Sequence, residues 1–456
     1  MTTFLIIWFG QAVSMLGTGL TRFALLIWAY RQTGQATTLA LLGFFSFAVF
    51  VIVSPLAGVW ADRWDRRRVM LLADAGAGAI TLGFLLLFLS GELHIWHLYL
   101  GEALTGFCEA FQRPAYNASM SVLVSREQLG RANGLRSLSY ETTNILSPVL
   151  GGLLLVPLGL AGIMVIDLIT FGAAVITLLI VWIPRPVRSA EGQAADAAQG
   201  WRALTFGMRY IAQRPGLLGL TLIFAQIHLL AALTYFGILA PMVLARGGND
   251  ELALSGVQAA MGVGGVVGGL IMTIWGGPRK RIHGVLAFCA ASFLFGDLLF
   301  AVGRNATAWI AAGFTAAVFI PFIGSSNTAI WQAKVPQDVQ GRVLGAAFAL
   351  QQMTRPVGYL LAGPLADRIF EPALMPGGAL SGSLGWLVGT GAGAGMGLMF
   401  LGTATLGFVS CMSGYLWPAL RNVESDLPDA DVVEVAVIGG DERVIGGDLL
   451  PELAAD

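Results

Sequence analysis

Twelve stretches of roughly twenty or more mostly apolar residues leave this chain few ways to fold. A helix needs about 20 such residues to cross the hydrocarbon core of a bilayer. In lipid, every backbone amide of the segment must be satisfied internally, which a helix does. The segments run approximately over 4–29, 38–60, 69–90, 95–112, 134–156, 160–183, 215–241, 252–275, 282–302, 307–331, 342–364 and 384–414. The fourth, which contains Glu102 and Glu109, is the weakest. Only 12% of the 456 residues are charged, against about 25% in soluble chains. A water-soluble enzyme of several domains is thereby excluded. The expected fold class is an all-α membrane protein with twelve transmembrane helices.

Loop charge sets the expected orientation. Arg63, Arg66, Arg67 and Arg68 follow the second segment; Arg113, Arg126, Arg131 and Arg136 follow the fourth; Arg185, Arg188, Arg202, Arg209 and Arg214 follow the sixth. Arg279, Lys280 and Arg281 follow the eighth, whereas the opposite loops hold only Arg31, Arg246, Arg304 and Arg368. Basic loops stay cytoplasmic, so both termini are expected inside a prokaryote-type inner or plasma membrane. The first apolar run has neither a basic leader nor a small-residue cleavage site and is expected to be retained as a span. Cys108, Cys289 and Cys411 are far apart in sequence and read as small core residues.

The longest inner connection divides the chain into a first six-helix half, 1–183, a linker, 184–214, and a second half, 215–414. Glu191–Gly200 has linker composition. Trp201–Tyr210 alternates apolar and basic residues at helical spacing, which predicts an interfacial helix on the inner leaflet. Residues 415–456 form an acidic cytoplasmic tail: from Arg421 onward the net charge is −8, leaving +7 on the rest, and the tail is expected to be solvated. An offset of 211 aligns Val124–Gly134 with Val335–Gly345, and pairs Gly58, Trp64 and Arg68 with Gly269, Trp275 and Arg279. Six spans separate the copies, so the repeats are parallel. Such duplication puts a substrate site between the halves of a rocking transporter.

The turn Gly58-Val-Trp-Ala-Asp62-Arg63-Trp-Asp65-Arg66-Arg67 resembles the signature between helices 2 and 3 of the major facilitator superfamily, with Asp65 at the usual second glycine. Gly10-Gln11 through Thr33-Gly34, Arg131-Ala-Asn-Gly134, Ser147-Pro148 with Gly151-Gly152, Gly363-Pro364 through Glu371-Pro372 and the Gly389–Met399 run are similar to its drug:proton antiporter-3 branch. That branch contains macrolide efflux proteins and enterobactin exporters. The resemblance covers about residues 1–415 and implies the major facilitator fold, with two parallel six-helix repeats. It also implies an inner gate in which Gly58 lets helices approach and Asp62 pairs with basic groups and the start of span 11. Arg113, at the expected end of span 4, would be one such group; Arg63, Asp65, Arg66 and Arg67 complete the motif.

Polar residues inside spans are costly and mark pathways. Gln11, Ser14, Thr18 and Arg22 form one stripe on span 1, and Glu102, Thr105, Glu109 and Arg113 repeat the spacing on span 4. The resemblance makes these two helices cavity-lining. Arg22 and Glu102 each lie seven residues from the outer ends of their spans, so an ion pair is geometrically possible. Glu102, Glu109 and Glu141 are the proton-coupling candidates. Gln226, His228, Gln352 and Arg355 join Gln11, Thr18 and Arg22 as candidate substrate contacts; Arg355 suits an anionic group or a carboxylate partner. Asp74, Asp167 and Asp297, each near a span end, read as caps or structural pairs. Gly264/Gly268, Gly265/Gly269 and Gly389/Gly393/Gly397 read as helix-packing stripes.

No P-loop, dinucleotide fingerprint, nucleophile elbow or Cys/His metal spacing is present. No metal site, cofactor, nucleotide or nucleic-acid partner is therefore expected, and no enzymatic activity. The expected partners are a small-molecule substrate, protons and the lipid bilayer. The expected function is export of an amphipathic, drug- or macrolide-like molecule by proton antiport and alternating access. A siderophore, lipid or other metabolite exporter of the same fold is the alternative, and a non-transporting scaffold or sensor the third.

Overall fold

The computed structural model describes residues 2–124, 129–181, 200–335 and 337–428. Every regular element among them is helical. The first spans are α1 (Thr2–Thr33), α2 (Ala36–Arg63), α3 (Arg66–Leu89) and α4 (Ile95–Leu123). Segments five and six form one continuous run, α5 (Leu129–Ile180), broken only at Gly159, whose φ of 65° and ψ of 179° turn the chain after Pro157. The expected interfacial helix is α6 (Gly200–Ala212).

The remaining spans are more interrupted. Segment seven is α7 (Pro215–Leu233) and α8 (Leu239–Arg246), followed by α9 (Glu251–Trp275). Segment nine is α10 (Arg281–Ser292), a π-helical turn at Phe293–Asp297 and α11 (Leu298–Val302). Segment ten is α12 (Ala306–Val318) and α13 (Ile320–Lys334). Segment eleven is α14 (Gln337–Gln352) and α15 (Thr354–Leu365); a second π-helical turn at Ala366–Phe370 and α16 (Glu371–Leu374) lie beyond its expected end at 364. Then come α17 (Ser381–Val388), α18 (Ala394–Gly414), α19 (Pro418–Arg421) and α20 (Val423–Asp426). Nine described helical stretches are long and apolar enough to cross a membrane, segments five and six counting as one. Polar residues dilute α4, and the break at Met353 divides segment eleven.

Three expectations are corrected. Segment twelve does not run from 384: Gly389, Gly391 and Gly393 have φ of 88°, 95° and 81°, a left-handed region that ends α17 and delays α18 to Ala394. Gly389 and Gly393 therefore sit in irregular backbone, and of that series only Gly397 is helical; it packs closely, since a Cβ there would lie 2.0 Å from Arg246 Nη2. Gly264 and Gly268 do pack against the α12 backbone, but nothing lies within 4 Å of the other stripe, Gly265 and Gly269. Arg113 is not at a helix end, because α4 continues through Pro114 to Leu123. Finally, the start of the acidic tail is docked. Leu420 and Val423 are fully buried, Glu424 accepts from the Ile282 amide, and Lys334 Nζ donates to the Glu424 and Leu427 carbonyls at 2.5 and 2.6 Å. Residues 429–456 lie outside the described residues.

Two packing columns link the elements before residue 182 to those after 199: α2 against α15, and α5 against α9. The first is tight because Gly363 has no side chain; a Cβ there would lie 2.2 Å from Thr37 Cα. At the same end of the bundle, Asp367 caps α2, accepting from the Ala36 amide (3.0 Å), the Thr37 amide (2.8 Å) and the Thr37 hydroxyl (2.5 Å). Glu371 in turn caps α18, accepting from Gly393 and Met396 amides at 3.0 Å each. Arg31 pairs with Glu251 at that end too. One core cluster, including Leu20, Ile27, Ile163, Phe300 and Trp309, fills this region. The bundle is thus sealed around the 33–36 turn.

Candidate functional site: a charged cavity beneath the seal

Below that seal lies a cavity of about 800 Å³, lined by α1, α3, α4 and α5 together with Gln258 of α9. Its size suits a drug-sized molecule. Gln11, Thr18 and Arg22 line it from α1, and Glu109, Gln112 and Arg113 from α4.

The two stripes meet as an ion network. Arg22 Nη2 lies 3.3 Å from Glu102 Oε2 and 3.3 Å from Glu109 Oε1. Arg113 Nη2 lies 3.4 Å from Glu109 Oε2, an i,i+4 pair, while its guanidinium sits 4.9 Å from the centre of the Phe50 ring. The seven-residue spacing of Glu102 and Glu109 puts both carboxylates on one face of α4, two turns apart, where a single arginine reaches between them. The four charges balance. The Arg22 and Arg113 side chains are about half exposed to the cavity, so their pairs can be remodelled at modest cost.

A second polar cluster was not anticipated. Asp74, buried on α3, accepts from Gln11 Nε2 at 2.7 Å and from Gln112 Nε2, which also donates to Gln11 Oε1 at 3.0 Å. This is a bridge between three helices, not a cap, and Asp74 lines the cavity. The available signal was Gln112, which continues the Glu102–Thr105–Glu109 stripe. Asp167 and Asp297 also bridge helices. Asp167 accepts from Thr18 at 3.1 Å and Thr81 at 3.0 Å, and Asp297, inside the first π-helical turn, accepts from Thr403 at 3.0 Å and from Tyr235. Pairing describes both; end-capping does not.

The second-half candidates stand apart from the residues lining this cavity. Gln226 Oε1 accepts from Ser410 at 2.5 Å, joining α7 to α18, and His228 Nδ1 lies 2.7 Å from the Phe224 carbonyl of its own helix. Arg355, just past the Met353 break, is held between the Phe47 and Phe236 rings at 4.5 and 4.3 Å, with Gln352 Oε1 3.4 Å away. Among the described residues no carboxylate lies at ion-pair distance from Arg355, whose buried Nε has no hydrogen-bond partner. In the basic turn, Asp65 caps α3 through the Arg68 amide, and Arg67 donates to the Leu178 and Leu179 carbonyls of α5 at 2.6 and 2.5 Å. Arg66 opens α3. The side chains of Gly58, Asp62, Arg63 and Glu141 lie outside the described residues. No metal-holding cluster of His, Cys, Asp or Glu occurs among the described residues.

The comparisons with known proteins agree with this architecture. The chain is 27% identical over 377 residues to macrolide efflux protein A of Streptococcus pyogenes, covering 80% of this chain and 90% of the relative. It is 36% identical over 106 residues to the enterobactin exporter EntS of Shigella flexneri, covering 23% of this chain and 26% of that one. Among solved structures, a bacterial homologue of the human lysosomal transporter Spinster, inward-facing and occupied, superposes with a TM-score of 0.66 at 14% identity, covering 93% of this chain and 97% of that one. A bacterial homologue of ferroportin, inward-facing, gives 0.64 at 14% identity over 90% of this chain and 98% of that one. The model of the Major Facilitator Superfamily matches residues 7–359, so this multi-pass chain belongs to that family of membrane transporters and not among the enzymes.

Proposed function

We propose that this chain exports an amphipathic small molecule of macrolide-like size, in exchange for protons, by alternating access between two six-helix halves, 1–183 and 215–414. The observation that carries the reading is the cavity itself. It is large, mixed apolar and polar, charged at its centre, and sealed at the end where Asp367 caps α2. With basic loops on the cytoplasmic side, that sealed end is the outer one, both termini are inside, and the arrangement is the inward-facing state. The match to macrolide efflux protein A supports both direction and cargo size.

The coupling step belongs to Glu102, Glu109 and Glu141. A proton on Glu109 removes the carboxylate that holds both Arg22 and Arg113, which frees those arginines to change partners as the halves rock. In the opposite state the motif of Gly58, Asp62, Arg63, Asp65, Arg66 and Arg67 closes the inner end, and the Asp367 latch opens. Siderophore export is the second reading, favoured by the 36% identity to the enterobactin exporter.

Reconstitution in liposomes under a pH gradient tests the proposal. Adding macrolides is expected to drive proton flux that Glu109→Gln or Glu141→Gln abolishes. Flux that survives glutamine at all three carboxyls would refute the assignment of the carrier, and flux with siderophores alone would favour the second reading.

A further inference from the structure

Arg22, Arg113, Glu102 and Glu109 neutralise one another, and among the described residues lining the cavity one carboxyl, that of Asp74, is left without a cation. Asp74 is 4% exposed, yet it borders the cavity. Its partners are the side-chain amides of Gln11 from α1 and Gln112 from α4. From α4, Cys108 lies close to Asp74, and Glu109 and, from α5, Phe171 line the same cavity. Among the described residues no arginine, lysine or histidine lies at ion-pair distance from it. Neutral amides are weaker partners for a buried carboxylate than a cation is, and a carboxylate removed from water calls for opposite charge.

We propose that Asp74 is the anchor for a cationic centre on the cargo, so that the transported class is amphipathic cations. The assignment rests on the export reading above and names its substrate class. Gln11 and Gln112 are placeholders. Gln112 Nε2 donates both to Asp74 and to the Gln11 carbonyl oxygen, so on cargo binding the bond to Gln11 gives the displaced amide an acceptor other than Asp74. The apolar body of the cargo then has Trp8, Met15 and Phe171 to pack on, all lining the same cavity. An anionic cargo finds less: Arg22 and Arg113 already face glutamates, and the faces of Arg355 are covered by Phe47 and Phe236.

Three probes test this on the purified full-length chain: tetraphenylphosphonium and tetraphenylborate, of one shape and opposite charge, and the smaller, neutral triphenylphosphine oxide. Equilibrium binding is expected to favour the cation by about tenfold or more over both others, the scale of one charge-assisted contact. Asp74→Asn is expected to erase that preference and Asp74→Glu to retain it. Gln112→Lys, which supplies an internal cation beside an intact Asp74, is expected to erase it as well and covers the case in which Asp74→Asn does not fold. A wild-type preference for the borate, or a cation preference unchanged in Asp74→Asn and Gln112→Lys, would overturn the assignment. Vesicle transport separates the two readings: cation binding without any outward flux contradicts the exporter and leaves Asp74 as a cation site, whereas flux with no cation preference does the reverse.

Discussion

At the scale of single residues, the account turns on which polar side chains have substitutes when one is removed. Arg22 has none: among the described residues it alone lies at ion-pair distance from both Glu102 and Glu109. Arg22→Gln leaves Glu109 with Arg113 and takes from Glu102 its pairing arginine, and cargo-dependent transport is expected to fall at least about tenfold; restoration by a second change, Glu102→Gln, would identify charge balance as the cause. Asp297 offers a structural contrast. It is fully buried and accepts from both Tyr235 and Thr403; Asp297→Ala strands the Tyr235 hydroxyl, while Thr403 keeps the Phe400 carbonyl at 3.1 Å, and is expected to cost about 1–3 kcal/mol, read as a lower melting temperature in detergent. Much of this scale was legible in the sequence. Counting residues from the span ends put Arg22 and Glu102 at one depth. The Asp74 cluster was not legible, because it depends on how α3 is rotated about its axis against α1 and α4, and the spacing within one helix does not encode that rotation. The same limit hid the proximity of Cys289 and Cys411, distant in sequence but buried in one core cluster.

Among the elements, two carboxylates four residues apart do different work. Asp367 caps α2 across the two groups of spans, while Glu371 caps α18 next to the irregular glycine backbone, where Arg246 also donates to the Gly393 and Val388 carbonyls. Removing the first cap should release the seal: Asp367→Ala is expected to shift the bundle toward the state open at the 33–36 turn, measured as wider spin-label distances between positions 35 and 250. Unchanged distances would remove Asp367 from the latch. Glu371 lies outside the spans, and burial raises its pKa above the ordinary glutamate value, with the two amides and Arg246 opposing. A raised carboxyl pKa means the folded chain holds the proton longer than the unfolded one, so stability falls as pH rises through the range just above the ordinary value. Glu371→Gln is expected to flatten that part of the melting-temperature profile. Helix breaks were the least legible elements. In lipid-facing sequence a glycine serves packing or irregular backbone equally well, and only the left-handed φ at Gly389, Gly391 and Gly393 decides between them. Close approach was easier to read at Gly264 and Gly268 than at Gly106, where a Cβ would fall 2.1 Å from the Ser46 carbonyl oxygen. Gly106→Leu is accordingly expected to separate α2 from α4 and to cost about 1–3 kcal/mol of stability, measured by thermal unfolding.

For the molecule as a whole, composition and hydropathy determined the class, because a bilayer accepts so few backbone solutions. The family followed from short motifs, and the match over residues 7–359 agrees with them. What a sequence of apolar helices does not carry is the state of the machine. The seal by Asp367 and the cavity beneath it emerge only when α2 meets α15. On the proposed reading, protons moving inward drive cargo outward through this cavity. Inside-out vesicles containing the protein, loaded to an acidic lumen, test it with a radiolabelled macrolide. The account predicts accumulation in the lumen that collapses when a protonophore dissipates the gradient and is absent in Arg22→Gln. Accumulation indifferent to the protonophore would contradict it.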